Sequence, residues 1–164
     1  MIKFKKCTLE DLKELQDISI LTFTDTFKDQ NTEENLQAYL QQAYSDDQLM
    51  SELNNINSAF YFLKNNDETV GYIKLNIKDA QSEGILPTAL ELERIYITPA
   101  HKRQGYGRQL IAYAEKRAKE LACTDIWLGV WKFNTDALAF YERMGYEKIG
   151  EHSFLWVKMS RQMT

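Results

Sequence analysis

Leu92-Glu93-Arg94-Ile95-Tyr96-Ile97-Thr98-Pro99-Ala100-His101-Lys102-Arg103-Gln104-Gly105-Tyr106-Gly107-Arg108 is the most informative stretch of this chain. Its first part belongs to a strand over 90–98 that Pro99 stops. A short basic turn with two glycines follows, and then Leu110, Ile111, Ala114, Ala118 and Leu121 trace a helix. Gly105 and Gly107 carry no Cβ, so backbone N–H groups there can approach a bulky anion closely. Those groups sit at a helix start, where the dipole and the unpaired donors favour phosphate. Lys102, Arg103 and Arg108 bring positive charge to the same place. Neither a P-loop nor a GxGxxG dinucleotide fingerprint fits the glycine spacing. The plainer reading of the same residues is a glycine turn with solvated basic side chains.

On the N-terminal side, residues 2–4 alternate as a strand, and Thr8 with Asp11 resembles a helix cap. Leu9, Leu12, Leu15, Ile18 and Leu21 then predict a helix reaching about Phe27. Thr32 and Ser45 read as caps of two further helices. Residues 59–64 and 69–78 predict a hairpin, with Val70, Tyr72, Lys74 and Asn76 on one face and Gly71, Ile73, Leu75 and Ile77 on the other. Residues 79–88 are polar and read as a loop. On the C-terminal side, Ile126-Trp127-Leu128-Gly129-Val130-Trp131 predicts a buried strand, residues 134–144 a helix ended by Gly145, and residues 146–154 a closing strand. The order of elements predicts one mixed α/β domain over residues 1–164.

The 164 residues are 44% hydrophobic and 27% charged, which suits one soluble globular domain. The formal net charge of -4 argues against wrapping nucleic acid and favours attraction of small cations such as amines. Cys7 and Cys123 form no CxxC pair and read as reduced thiols, which predicts a cytoplasmic protein. The N-terminus lacks the apolar run of a signal peptide, and no stretch approaches the ~20 apolar residues of a membrane span. His101 and His152 have no ligand spacing, so no metal is expected.

Lys102-Arg103-Gln104-Gly105-Tyr106-Gly107 resembles the (Gln/Arg)-x-x-Gly-x-(Gly/Ala) signature of the GNAT acetyltransferases, with lysine where Gln or Arg is usual. Lysine keeps the charge and loses the planar fork of donors. The 126–131 strand, Asn134, Ala137, Phe140-Tyr141 and Met144-Gly145-Tyr146 resemble the second half of the same family. Residues 19–27, 79–83, 92–97, 126–131 and 150–154 look like its PaiA-type spermidine/spermine N-acetyltransferase branch. The resemblance implies a mixed, mostly antiparallel central sheet, splayed between its fourth and fifth strands and flanked by helices. Acetyl-CoA would lie in the gap as cosubstrate. The backbone from Ile95 through Tyr96 to Ile97 would pair with its pantetheine arm. Lys102, Arg103, Gln104, Gly105, Tyr106, Gly107 and Arg108 would hold its pyrophosphate. Asn134 would contact the arm, although as a helix N-cap it has a second reading. Tyr141 would protonate the departing thiolate; its other reading is an aromatic packed beside Phe140.

An amine must lose a proton before it attacks a thioester, because its pKa of about 10 keeps it charged at neutral pH. Glu91 falls where many members of the family place a strand carboxylate facing the substrate. Glu93 would share its face by alternation unless a bulge intervenes. The competing reading has both carboxylates solvated or paired with Arg94. In this family the acceptor site comes from the first helices and the loop after the hairpin. Here those elements carry Asp25, Asp29, Glu33, Glu34, Asp79 and Glu83, with Phe23, Phe27 and Tyr39 among them. Of these, Phe27, Asp29, Glu33 and Asp79, together with Glu93, are the leading candidates, and carboxylates with aromatics suit a linear polycation. A solvated acidic helix face is the alternative. The implied activity is acetyl transfer to a primary amine such as spermidine or spermine. The alternatives are a GNAT enzyme acting on a protein N-terminus, an amino acid or an aminoglycoside, and a CoA-binding regulatory module with little catalysis. No Gly, Asn or Pro separates residues 152–154 from Leu155-Trp156-Val157-Lys158-Met159. The last strand is therefore abbreviated, reached by a bulge, or supplied by a partner copy in a homodimer.

Overall fold

The computed structural model describes residues 1–84, 88–131, 134–150 and 155–159. Thr8 donates its N–H to Asp11 Oδ2 at 2.9 Å and opens a single 3-10 turn, from which α1 (Leu12–Phe27) continues. Leu15 and Ile18 are buried, whereas Leu9 and Leu21 are exposed. Five apolar residues spaced three apart fall progressively behind a 3.6-residue turn, so only the middle of that series can face the core. Ser19 and Thr22 complete the buried face instead. Thr32 and Ser45 cap α2 (Glu33–Ala43) and α3 (Asp46–Asn54), each side-chain oxygen accepting a backbone N–H at 3.1 Å. These are the caps the sequence predicts.

The strands are β1 (Ile2–Lys6), β2 (Ser58–Asn65), β3 (Glu68–Ile77), β4 (Ala89–Ile97), β5 (Asp125–Gly129), β6 (Glu147–Lys148) and β7 (Leu155–Met159). They form one sheet in the order β1-β2-β3-β4-β5-β7-β6. Every pairing is antiparallel except β4 with β5. One face carries Phe60, Phe62 and Tyr72 against Leu15, Ile18, Leu36, Leu40 and Leu49 of the first three helices. The other carries Leu63, Ile73, Leu75, Leu90 and Leu92 against α4 (Tyr106–Glu120) and α5 (Thr135–Arg143). A bulge in the β2–β3 ladder turns Val70 to the Ile73 side, which corrects the simple alternation that placed it with Tyr72.

The C-terminal end differs from expectation. Within residues 146–150 strand structure covers Glu147–Lys148, and residues 151–154 of the expected strand lie outside the described residues. Leu155–Met159 is a full strand of this chain, inserted between β5 and β6, so no partner copy is needed to supply it. Lys158 anchors it: its Nζ lies 2.7 Å from Glu115 of α4 and donates to the Met144 carbonyl at the end of α5 at 2.9 Å. Among the described residues no helix is long and apolar enough to cross a membrane.

Candidate active site

β4 and β5 pair only at Ala89–Asp125, Leu90–Ile126 and Glu91–Trp127. Beyond Glu91 the two strands part, and a cavity of about 1050 Å³ occupies the gap. Ile95, Tyr96 and Ile97 line one wall; Leu128, Gly129, Val130 and Trp131 line the other. The N–H of Thr98 donates to Val70 of β3 at 3.0 Å. By strand alternation the amide and carbonyl of Ile97, and of Ile95 two residues before, therefore point to the open edge. That edge offers an extended chain the main-chain partners of an added strand.

One end of the cavity is the start of α4. Arg103 and Gly105 have φ of 64° and 83°, a left-handed pair that reverses the chain sharply into the helix. No side chain caps this end, no acidic residue occupies its first turn, and its first N–H groups are without helical partners. A Cβ built on Gly105 would meet nothing within 4 Å, so that side of the turn is open. Lys102, Arg103, Tyr106, Gly107 and Arg108 line the same end. Gln104 is not among the lining residues. Gly107 has a second role: a Cβ there would stand 3.4 Å from the Phe140 ring, so its bare backbone lets α5 lie close to α4. An uncapped helix start with clustered cations, opening into a cleft of this size, fits the pyrophosphate and arm of coenzyme A.

Asn134 caps α5, its Oδ1 accepting the Ala137 N–H at 3.3 Å, and also lines the cavity. The cap reading is therefore observed, and its place on the cavity wall leaves its side chain within the cleft. Tyr141 is buried, packs against Phe140 and Tyr146, and reaches the cavity wall. Burial pushes its phenol above the ordinary tyrosine range, so it keeps its proton at neutral pH.

The structure separates the two strand carboxylates. Glu91 lines neither this cavity nor the one beside it: it is buried, accepting Asn76 Nδ2 at 2.9 Å and the Ser82 N–H at 2.7 Å. It ties β3 and the following loop to β4. A bulge shifts the β3–β4 register between Lys74–Arg94 and Leu75–Leu92, adding Glu93 to β4. Glu93 thereby shares a face with both Glu91 and Arg94. It accepts from Asn76 at 2.7 Å, pairs with Lys74 at 2.8 Å, and lines the main cavity. Burial disfavours its charge, but Arg94 and Lys74 outweigh burial and hold the carboxyl below its ordinary range. Lys74 also meets Glu52 at 2.8 Å. A second cavity of about 520 Å³, lined by Tyr39, Gln42, Glu52 and Lys74, touches the first through Glu93 and Arg94.

Of the acceptor candidates, Phe27 lines the main cavity, 6.2 Å from Trp131 between ring centroids. Phe23 stacks on Tyr39 and continues the aromatic wall from Phe27. Asp29, Glu33 and Asp79 are exposed and line neither cavity. Asp25, one of the acidic acceptor candidates, lines the main one, as do His101 and Arg143, which the sequence did not single out as site residues. Asp25 meets Lys102 at 2.6 Å. His101 lies 2.6 Å from Thr98 Oγ1 and 3.2 Å from Glu68, which fixes the turn. Nothing local marks Arg143, whose place depends on how α5 crosses the sheet. Among the described residues no group of three or more His, Cys, Asp or Glu side chains is placed to hold a metal.

The acetyltransferase (GNAT) family model matches residues 12–146. An uncharacterised N-acetyltransferase of the pepI 3′ region in Lactobacillus delbrueckii subsp. lactis is 38% identical over 154 residues, covering 94% of this chain and 89% of the relative. The spermidine N(1)-acetyltransferase of Thermoplasma acidophilum is 24% identical, covering 89% of this chain and 88% of its own. Among solved structures, the PaiA N-acetyltransferase of T. acidophilum in complex with coenzyme A superposes with a TM-score of 0.82 at 24% identity, over 97% of this chain and 99% of that one.

Proposed function

The chain belongs to the GNAT acetyltransferase family and is an acetyl-CoA-dependent N-acetyltransferase, and from that premise we propose that its acceptor is a small linear polyamine such as spermidine. The observation that carries this reading is the composition of the cavity beyond the cofactor end. Phe27 and Trp131 form an aromatic wall, the Glu93 carboxylate lines the same cavity, and Asp25 lines it beside Lys102 at the cofactor end. Aromatic faces and spaced carboxylates together suit an alkyl chain with several ammonium groups. The relative from T. acidophilum named for spermidine supports the same direction.

Acetyl-CoA supplies the thioester carbonyl and the leaving thiolate. The residues of this chain position and stabilise. The open-edge N–H of Ile97 is aimed where negative charge develops on the carbonyl oxygen. The Tyr141 phenol gives its proton to the sulfur as the C–S bond breaks and the C–N bond forms. Glu93 is already held as a carboxylate by Arg94 and Lys74, so it is a poor proton acceptor and a good anchor for an incoming ammonium. One proton leaves the ammonium to water before attack, and the second, shed by the nitrogen as the amide forms, returns through water to the Tyr141 phenol. The backbone of Ile95, Tyr96 and Ile97 holds the pantetheine arm, Asn134 contacts it from the facing side, and Lys102 with the start of α4 holds the pyrophosphate.

Thiol release from acetyl-CoA, measured with spermidine, spermine, a single free amino acid, an aminoglycoside and a short peptide, tests the acceptor. Release with the polyamines exceeding the others at equal concentration is expected. Release with a peptide or amino acid alone reassigns the acceptor class.

A further inference from the structure

We infer that Asp25 is an acceptor-recognising carboxylate that the cofactor releases: bound pyrophosphate takes Lys102 away from Asp25, and Asp25 then receives an ammonium of the amine. The inference rests on the polyamine reading for its second half and on the pyrophosphate site for its first. Asp25 lies in the last turn of α1 and Lys102 in the turn before α4, and both line the main cavity. Without cofactor their charges are spent on each other, 2.6 Å apart, with a quarter of the Asp25 side chain and half of the Lys102 side chain exposed. The same last turn of α1 carries Phe27, which faces Trp131 across the gap.

The exchange follows from relative charge. A pyrophosphate carries more negative charge than one carboxylate and arrives already held by the amides of the α4 start, so it outcompetes Asp25 for the flexible Lys102 side chain. An Asp25 stripped of its cation is a carboxylate on an aromatic-lined wall, which is the environment an alkylammonium seeks. The amine then binds more tightly to the cofactor-loaded protein than to the free one. By linkage, the amine strengthens cofactor binding by the same factor. A partly exposed pair of this kind corresponds to a change of about two- to five-fold. The arrangement makes cofactor-first binding the favoured order, and it makes Asp25 a determinant of acceptor choice although it lies on the cofactor's ion pair.

Calorimetric titration with coenzyme A and with spermidine tests it on four proteins: wild type, Asp25→Asn, Lys102→Met and the double variant, each confirmed folded by thermal melting. Asp25→Asn is expected to tighten coenzyme A about two- to five-fold in the absence of any amine, because Lys102 is freed in advance. On the Lys102→Met background the same substitution should leave coenzyme A affinity unchanged. In wild type, saturating coenzyme A should tighten spermidine by a similar factor, and Asp25→Asn should abolish that gain. Coenzyme A affinity that is unchanged or weaker in Asp25→Asn overturns the exchange, whatever the acceptor. A coenzyme A gain in Asp25→Asn with no spermidine binding to any form overturns the acceptor half, and locates the failure in the polyamine reading rather than in the release of Lys102.

Discussion

Single side chains carry the sharpest expectations. Tyr141 is buried and its phenol is pushed above the ordinary value of about 10. A group with a raised pKa keeps its proton through neutral and mildly alkaline pH, so no alkaline fall in kcat should come from Tyr141 below about pH 10. Tyr141→Phe removes the donor and keeps the packing. It should lower kcat by roughly 10²-fold while coenzyme A affinity changes by less than about two-fold. Equal losses in both would make Tyr141 a packing residue. Glu93 has the opposite sign: its pKa is lowered, so it stays charged as pH falls through the ordinary carboxylate range. The rise of kcat/KM with pH should therefore follow deprotonation of the free amine, and Glu93→Gln should raise KM for the amine without altering that slope. A break near pH 6 that vanishes in Glu93→Gln would instead make Glu93 the proton acceptor.

At the scale of elements, the order of strands and helices was legible because periodicity and caps are local. Thr32 and Ser45 capped the helices they were expected to cap, and the glycine turn led from β4 into α4. Three features were not legible, each because a distant neighbour sets it. Bulges displaced Val70 and added Glu93 to β4, and Glu93 rather than Glu91 lines the cavity because β4 still pairs with β5 at Glu91 and has parted from it at Glu93. β7 was hard to place because its partners are β5, some 30 residues earlier, and the two-residue β6. The acidic candidates Asp29 and Glu33 sit beyond the end of α1, on surfaces turned from the gap, while Asp25 sits within its last turn. The Lys158–Glu115 pair follows the same logic. Their side chains are only 7% and 3% exposed, so removing one partner strands a buried charge. Lys158→Met should cost about 3–5 kcal/mol in urea unfolding, and adding Glu115→Leu should recover part of that loss.

For the whole molecule, the sheet supplies a rigid frame and the missing half of one pairing supplies the site. Ala89 to Glu91 hold β4 against β5, while the first three helices cover one face and α4 with α5 the other. The chain carries a formal charge of -4, yet the start of α4 concentrates Lys102, Arg103 and Arg108. The proposed polyamine acceptor would be drawn by the overall field, and an anionic cofactor by the local one. Raising ionic strength from about 0.05 to 0.3 M should lower kcat/KM for spermidine severalfold and affect a singly charged amine less. An identical salt response for both amines would remove charge steering from the explanation.

The most direct test concerns the α4 start. Gly105 has φ of 83° beside open space, so a side chain there adds about 1–2 kcal/mol of backbone strain and projects where the pyrophosphate would lie. Coenzyme A should be titrated calorimetrically into wild type and Gly105→Val, with folding checked by thermal melting. A folded variant whose Kd is at least about ten-fold weaker, a change of roughly 1.4 kcal/mol, is the expected result. A folded Gly105→Val that binds coenzyme A as tightly as wild type would place the pyrophosphate elsewhere.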